Sequence, residues 1–433
     1  MPVNFLTPEQ TAQYGHYAGE PSPAQLARYF YLDDADQMVL AVWRENHTRL
    51  GFALQLCTAR FLGTFLSDLT ETPSGVVNYL ARQLNIEDTA GWEAYAESKT
   101  ESRHRQFIRE QYGYEDFHRS QRPFSLLRQL YAHAWLAAEK HLVLFDYATA
   151  WLVQNKVLLP GPTVLERLVA RVVERADKRL WQRLNHLVDE VQAEQLRTLL
   201  TVDEDKRFSR LELLRRQERR ASSRTINVAM RRLADVRVFG LRNLDLSAFP
   251  VGRIKALSRF GLTAWAAAID DLGQAHQLAT LLITVRELEA VIQDEVLDLL
   301  LLIVADKFKD AAKAGLRARL QLLAEVDTAT LQLCEACQFI LDDELPESEL
   351  RLAVFEQIPR ENLEKAVILV GQEMSHHGPH YYNQLVHSYR TLRHFLPTLL
   401  QTVAFQSAVN GADVLSAWQF LYQLDHEKRY PAT

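Results

Sequence analysis

Only sixteen glycines and fourteen prolines are spread over 433 residues, so the chain runs for long stretches without a strong helix breaker. In those stretches apolar residues recur at three- and four-residue spacing, and β-branched alternation is rare. That period puts the apolar side chains on one face of a helix. The chain is therefore predicted to be all-α: several small, helix-turn-helix-like modules followed by a long-helix region. Ser22-Pro23-Ala24-Gln25 marks the first clear helix start, with a capping serine, a proline at the first helical position and a glutamine that completes a capping box. Asp33-Asp34 leads into a second helix over Ala35 to Arg44, and a third carries Leu50, Leu54, Cys57 and Phe61 on one stripe. Three short helices with tight turns suit a helix-turn-helix module, and equally suit other small helical bundles.

Four segments are expected: residues 1–75 and 76–160 as helical modules, 161–260 as a basic helical module, and 261–433 as an acidic, leucine-rich helical region. After the break at Arg122-Pro123, one helix is expected from about Ser125 to Lys156. Leu158-Leu159-Pro160-Gly161-Pro162 is the strongest turn signal, after which Thr163 and Glu166 make a capping box. Pro250-Val251-Gly252 marks a further boundary, and a leucine-rich helical stretch runs from about Gln274 to Ala314.

Composition is that of a folded, soluble protein, with 48% hydrophobic and 24% charged residues. The most apolar run, Val296 to Ala305, is far short of the ~20 residues a bilayer requires. No secretory signal opens the chain, and three cysteines make no disulfide framework, so a cytoplasmic setting without membrane contact is expected. The net charge of −6 conceals a split. Residues 261–433 hold 13 basic and 24 acidic side chains, which leaves 36 and 31 of the totals of 49 and 55 to residues 1–260. Opposite signs in the two parts suggest different partners.

Arg167, Arg171, Arg175, Arg179 and Arg183 recur every fourth residue. On one helix they form a basic stripe suited to phosphates or guanine edges, or else a solvated face with local pairs such as Glu174 with Lys178. A denser run lies between Lys206 and Arg242, where Arg207, Arg210, Arg215, Arg216, Arg219, Arg220, Arg224, Arg231 and Arg232, with Lys206, Arg237 and Arg242, meet only Glu212, Glu218 and Asp235. The excess of arginine over lysine favours bidentate recognition, with a charged, solubilising helix as the alternative. Ser222, Ser223 and Thr225 could add hydroxyl contacts to phosphates. A third cluster, Lys99, Arg103, His104, Arg105 and Arg109, precedes Tyr112, Tyr114 and Phe117, and reads equally as a helix face ending in a packed aromatic turn.

Other candidates for chemistry are weaker. Cys334-Glu335-Ala336-Cys337 is a single pair in an apolar run, better read as buried, inert cysteines than as a zinc site completed by His376, His377 and His380. The histidine-rich segment 376–382 reads as a surface turn, and Asp342, Asp343 and Glu344 as a solvated helix end. No nucleotide-binding glycine loop is present in the sequence.

The opening Pro2-Val3-Asn4-Phe5-Leu6-Thr7 and Arg28-Tyr29-Phe30 with Leu32 resemble the start of Tn-three-family bacterial transposases. Arg49 to Cys57, Arg60 to Phe65, Ile108-Arg109, Tyr112-Gly113-Tyr114 with Phe117, and Leu158 to Gly161 with Leu165 to Leu168 are similar to that family too. So are Leu257 with Arg259-Phe260-Gly261 and Leu278 to Leu282. The resemblance implies helical DNA-binding modules that recognise the terminal inverted repeats of the element, followed by a helical dimerisation region. It also implies an RNase H-like catalytic domain with a DDE carboxylate set and magnesium in the C-terminal half of a protein about twice this length. On that basis the chain is expected to bind double-stranded terminal-repeat DNA through the arginines of 167–183 and 207–232, with a second copy of itself, as a homodimer, for a further partner. It is expected to lack the catalytic domain, to be no enzyme alone, and to hold no cofactor or metal. The alternatives are a helical protein-interaction scaffold, or a truncated regulator of transposition without DNA chemistry of its own.

Overall fold

The computed structural model describes residues 5–89, 95, 99–202, 207–343, 346–375, 385–403 and 413–427. Its regular structure is almost entirely α-helical, as the breaker-poor sequence implies. Among the described residues the one strand pairing is a two-residue parallel bridge, Glu115 with Val157 and Asp116 with Leu158.

The chain divides into two compact units, Met1–Arg197 with Leu244–Thr284, and Thr198–Asn243 with Val285–Thr433. This differs from the four consecutive segments expected above. Tertiary packing is the reason. Ile226, Ala229 and Met230 share a core with Val296, Leu299, Ile303, Phe395 and Leu399, and so draw 198–243 out of its sequence neighbourhood.

The first unit holds two cores. One gathers buried residues from Phe30 to Ile108 around the Asn46–Leu62 helix. Leu50 through Ala59 of this helix are all buried, not only the stripe of Leu50, Leu54 and Cys57; Phe61 is half-buried. A helix wrapped on every side cannot enter a DNA groove, so the helix-turn-helix-like reading of residues 1–75 does not give this helix a recognition role. Its end is set by Gly63, whose φ of 76° closes the last turn onto Ala59. A side chain there would also run into Val153.

The capping box expected at Ser22 is formed, and the helix start expected at Asp33-Asp34 is capped in the same way: each side chain accepts from the backbone three residues on. Asp36, one turn into the Asp34–Leu40 helix, is buried and bridged by Arg60 at 2.8 and 2.6 Å, with the Tyr112 hydroxyl donating at 3.0 Å. Burial alone would raise this carboxyl; the Arg60 guanidinium and the Tyr112 hydroxyl outweigh it and hold it below the ordinary 3.8.

Gly51 lies against the buried Tyr95 ring, which occupies the place where a Cβ would stand. Gly51→Ala gains about 1 kcal/mol of helix propensity but overpacks this site, at a typical cost of about 1–3 kcal/mol. Net destabilisation is expected, read as a lower urea midpoint with an unchanged m-value.

The second core of this unit packs three helices: Arg122–Leu136, His141–Gln154 and Pro162–Asn185. The single helix expected from Ser125 to Lys156 is thus two, parted where Ala137 turns extended. Ala137-Ala138-Glu139-Lys140 contains no breaker, so local propensity favours continuation. The break follows from burial: Leu126, Leu130 and Ala134 must share a core with Leu144, Phe145 and Ala148, and one straight rod cannot do that. The expected capping box of Thr163 and Glu166 is absent; Gly161 is the N-cap, without a side-chain bond. Glu166 instead turns inward and accepts from the backbone N–H groups of Phe5 and Leu6 at 3.2 and 3.0 Å.

The 67-residue helix Gln274–Ile340 continues well past the Ala314 end expected for it.

Candidate nucleic-acid interface

The Pro162–Asn185 helix sorts its residues by period. Leu165, Val169, Val172, Val173, Ala176, Leu180 and Leu184 are buried in the core. Arg167, Arg171, Arg175, Arg179 and Arg183 are all exposed on the other side. Sixteen residues at 1.5 Å of rise spread them over about 24 Å, close to seven base-pair steps of duplex DNA.

The stripe borders a groove of about 1400 Å³ between this helix and Arg122–Leu136. Leu127, Tyr131, Val164, Leu168 and Val172 give it an apolar lining. Six cations line it too: Arg128, Arg167, Arg171, Arg175, Lys178 and Arg179. One carboxylate opposes them, Glu174, and it is already paired with Lys178 at 2.6 Å. The far end of the stripe rests on aromatic rings. Arg179 and Arg183 lie 5.6 and 5.7 Å from the Trp135 ring centre, and Arg183 is 5.4 Å from that of Phe249. Arg179 also donates to the Tyr131 hydroxyl at 3.2 Å. Stacking engages the face of a guanidinium and leaves its N–H edge directed outward, which suits forked contact with phosphate. Arg128 and Tyr131 were not legible as site residues. The available signal was the outward position of Arg128 between the buried Leu126 and Leu130.

The second basic segment is mixed. Arg207, Arg210, Arg216, Arg219, Arg220, Arg224 and Arg231 are exposed. Arg215, Arg216, Arg219 and Arg220 line a cleft of about 800 Å³ with Gln217, Glu218 and Thr225. Arg215 is half-buried, and burial lowers its affinity for the proton. Ser222 caps the Ser223–Arg237 helix through a capping box with Thr225. Arg232 departs from the expected interface. It is buried, pairs with Glu295 at 3.0 and 3.2 Å, and donates twice to the Leu214 carbonyl. Glu295 accepts in addition from the Glu218 N–H at 2.9 Å, which fixes the base of the arginine-lined loop. Arg237 is likewise engaged, with Glu289 at 3.0 Å. Their surroundings explain the difference: both lie on the inner side of a helix whose Ile226, Met230 and Leu233 are core residues. Lys206 lies outside the described residues.

Of the third cluster only His104 is internal; Arg105 and Arg109 are half-buried and Arg103 is exposed. Arg105 pairs with Glu101 and donates to the Leu66 carbonyl, and Arg109 reaches Asp116 at 3.1 Å. His104 is fully buried among Trp43, Phe52 and Tyr95, with the Tyr95 hydroxyl 2.7 Å from Nδ1. Burial, helped by the charge on Arg103, pushes its pKa down to about 4. A depressed histidine contributes stability that is complete above its unfolded value near 6.5 and declines as pH falls toward 4. Unfolding free energy is expected to drop by about 2–3 kcal/mol between pH 7 and pH 4 on this account. His104→Phe should flatten that decline in urea titrations across the window.

The burial expected of Cys334 and Cys337 is not found: both are exposed. Cys57 is buried, with its thiol pushed up to about 12 by burial. Ala336 is the one buried residue of the run 331–340, so most of that helix surface is open and the two cysteines lie on it. No cluster of three or more metal-ligating side chains occurs among the described residues. The histidines of 376–382 and Glu344 lie outside them. No described helix is long and apolar enough to cross a membrane.

Residues 5–172 match a family model described as a domain of unknown function (DUF4158). The chain is 39% identical over 430 residues to the transposase for transposon gamma-delta of Escherichia coli (strain K12), an alignment that covers 99% of this chain and 43% of that protein. It is 26% identical over 433 residues to the transposase for transposon Tn501 of Pseudomonas aeruginosa, covering 95% of this chain and 42% of the relative. Against the transposase for transposon Tn2501 of Escherichia coli the figures are 26% over 419 residues, 94% and 41%. The chain therefore spans less than half the length of the curated relatives it matches. One expectation is corrected by these alignments. The chain was expected to be no enzyme, with its catalytic domain missing. The proteins it matches along nearly its whole length are transposases, and a match to less than half of each gives no ground for denying it the activity.

Proposed function

From the premise that this chain belongs to the Tn-three family of transposases, we propose that it acts in DNA transposition by binding the terminal inverted repeats of its element as duplex DNA. The observation that carries this reading is the groove beside the Pro162–Asn185 helix, where six cations face one carboxylate that is itself paired. Arg167, Arg171, Arg175 and Arg179 contact phosphates along it, and some of them read base edges. Arg216, Arg219, Arg220 and Arg224 of the second unit form a further phosphate-binding face. Arg232 supports that face from within instead of touching DNA. Self-association as a homodimer would present two such faces to two repeat ends. The setting is the nucleoid in the cytoplasm. Binding calls for no cofactor, so affinity is expected to persist in EDTA.

A gel-shift competition tests the proposal. Labelled terminal-repeat duplex is expected to resist displacement by scrambled duplex at a hundredfold excess. Equal displacement by both duplexes would remove the specificity from this reading. Absence of any shift at low salt would remove DNA binding altogether and leave a protein-interaction scaffold.

A further inference from the structure

A cavity of about 240 Å³ lies on the other flank of the Pro162–Asn185 helix from the arginine groove, where the Val251–Thr263 helix comes alongside. Its walls are largely aromatic, with Trp181, Phe260 and His276 beside Leu257. The Trp181 and His276 rings stack with centres 4.1 Å apart and planes 12° from parallel. Phe260 lies 6.3 Å from His276, at 23° to it. Burial, opposed by the charge on Asp177, holds His276 below its ordinary 6.5, so at pH 7 it stacks as a neutral ring. Asn185 steadies the arrangement by donating to the Ala275 carbonyl at 3.0 Å. Phe260 is 38% exposed, which leaves the stack reachable from solvent.

The polar part of the wall is one ion pair. Arg253, only 8% exposed, donates to the Asp177 carboxylate. The carboxylate keeps further acceptor sites and the guanidinium further N–H donors. Near-parallel rings beside a fixed donor and acceptor are what a displaced nucleobase requires, and the cavity is smaller than the roughly 300 Å³ at which drug-sized ligands begin. Guanine matches the pair best. Its Watson–Crick edge sets two adjacent donors, N1–H and the N2 amino group, beside the O6 acceptor. The other three bases carry a single donor group on that edge. DNA is the source that the position favours. Trp181 stands one turn and about 60° round the helix from Lys178, one of the cations of the groove, so a strand that tracks those cations passes close by.

We propose that this cavity takes one guanine out of the stack of the bound DNA. The ring rests against Phe260 and the Trp181–His276 pair, and its Watson–Crick edge meets Asp177 and Arg253. The inference rests on the DNA-binding reading above and adds to it a subsite for a single unstacked base.

Terminal-repeat duplexes in which each guanine in turn faces an abasic site test this with the full chain, by fluorescence anisotropy, because an unpaired base costs less to displace. At one position such a duplex is expected to bind at least about tenfold more tightly than its fully paired parent. Phe260→Ala is expected to bring that duplex back to within about threefold of the parent, and Phe260→Trp, which keeps an aromatic face, to retain the gain. Both variants should keep the helicity of the parent chain. A thymine facing the abasic site at the same position should show no gain, and an equal gain would overturn the choice of guanine. A chain that binds the paired duplex but gains at no position would overturn the role of the cavity alone. Failure to bind any duplex would overturn the DNA-binding reading with it. A gain that Phe260→Ala leaves intact would place the base elsewhere and overturn the assignment. Guanosine monophosphate that quenches tryptophan fluorescence, with no gain at any position in DNA, would make a free nucleotide the source and overturn the proposal for DNA.

Discussion

Reversing Arg171 and Arg175 together to glutamate is expected to weaken binding of duplex DNA by at least about 100-fold near 150 mM salt. Both guanidiniums are exposed, so their replacement should leave the fold within about 0.5 kcal/mol of its starting stability. The groove would change from six cations against one paired carboxylate to four cations against three carboxylates. A phosphate that no longer meets a guanidinium keeps its condensed counterions, so the slope of log affinity against log salt should become shallower by about two. Fluorescence anisotropy at four or five salt concentrations measures both quantities. An unchanged slope would mean that these side chains face only solvent.

Glu295→Ala is expected to cost the second unit roughly 3–5 kcal/mol, because it leaves the buried Arg232 guanidinium without its counter-charge. The Glu218 N–H loses its acceptor as well. A domain of ordinary stability, about 5–15 kcal/mol, would be brought close to unfolding by such a change. Replacing the pair together, with Arg232→Met and Glu295→Leu, should cost far less, since no uncompensated charge remains. Urea unfolding of the two variants separates these outcomes. Equal losses in both would mean that side-chain volume, not charge, governs the site. The same variants bear on DNA binding. Glu295 anchors the loop of Arg216, Arg219 and Arg220, so Glu295→Ala should loosen the second basic face while leaving the groove of the first unit intact.

Much of this was legible in the sequence wherever the determinant was local. The all-α class followed from period and breaker content. The capping box at Ser22 and the acidic start at Asp33-Asp34 gave helix starts that the structure keeps, because a cap needs only neighbours along the chain. The outward arginine stripe was legible for the same reason: its buried complement, Leu165, Val169, Val172 and Ala176, has the same period. Features decided by distant partners were not legible. Glu166 looked like a capping residue until Phe5 and Leu6, some 160 residues away in sequence, took its carboxylate. Arg232 looked like its neighbours because nothing local distinguishes an arginine that meets Glu295 from one that meets water. The groove itself was invisible, since Arg128 and Tyr131 join it only after the chain folds back at Ala137.

Photochemical cross-linking of terminal-repeat duplex bearing 5-iodouracil, mapped by mass spectrometry, tests most directly whether the groove carries the DNA. Adducts are expected at Tyr131 and within residues 162–185, and they should disappear in the Arg171→Glu, Arg175→Glu variant. Adducts confined to other surfaces, with none on the helices that border the groove, would contradict the placement of DNA there.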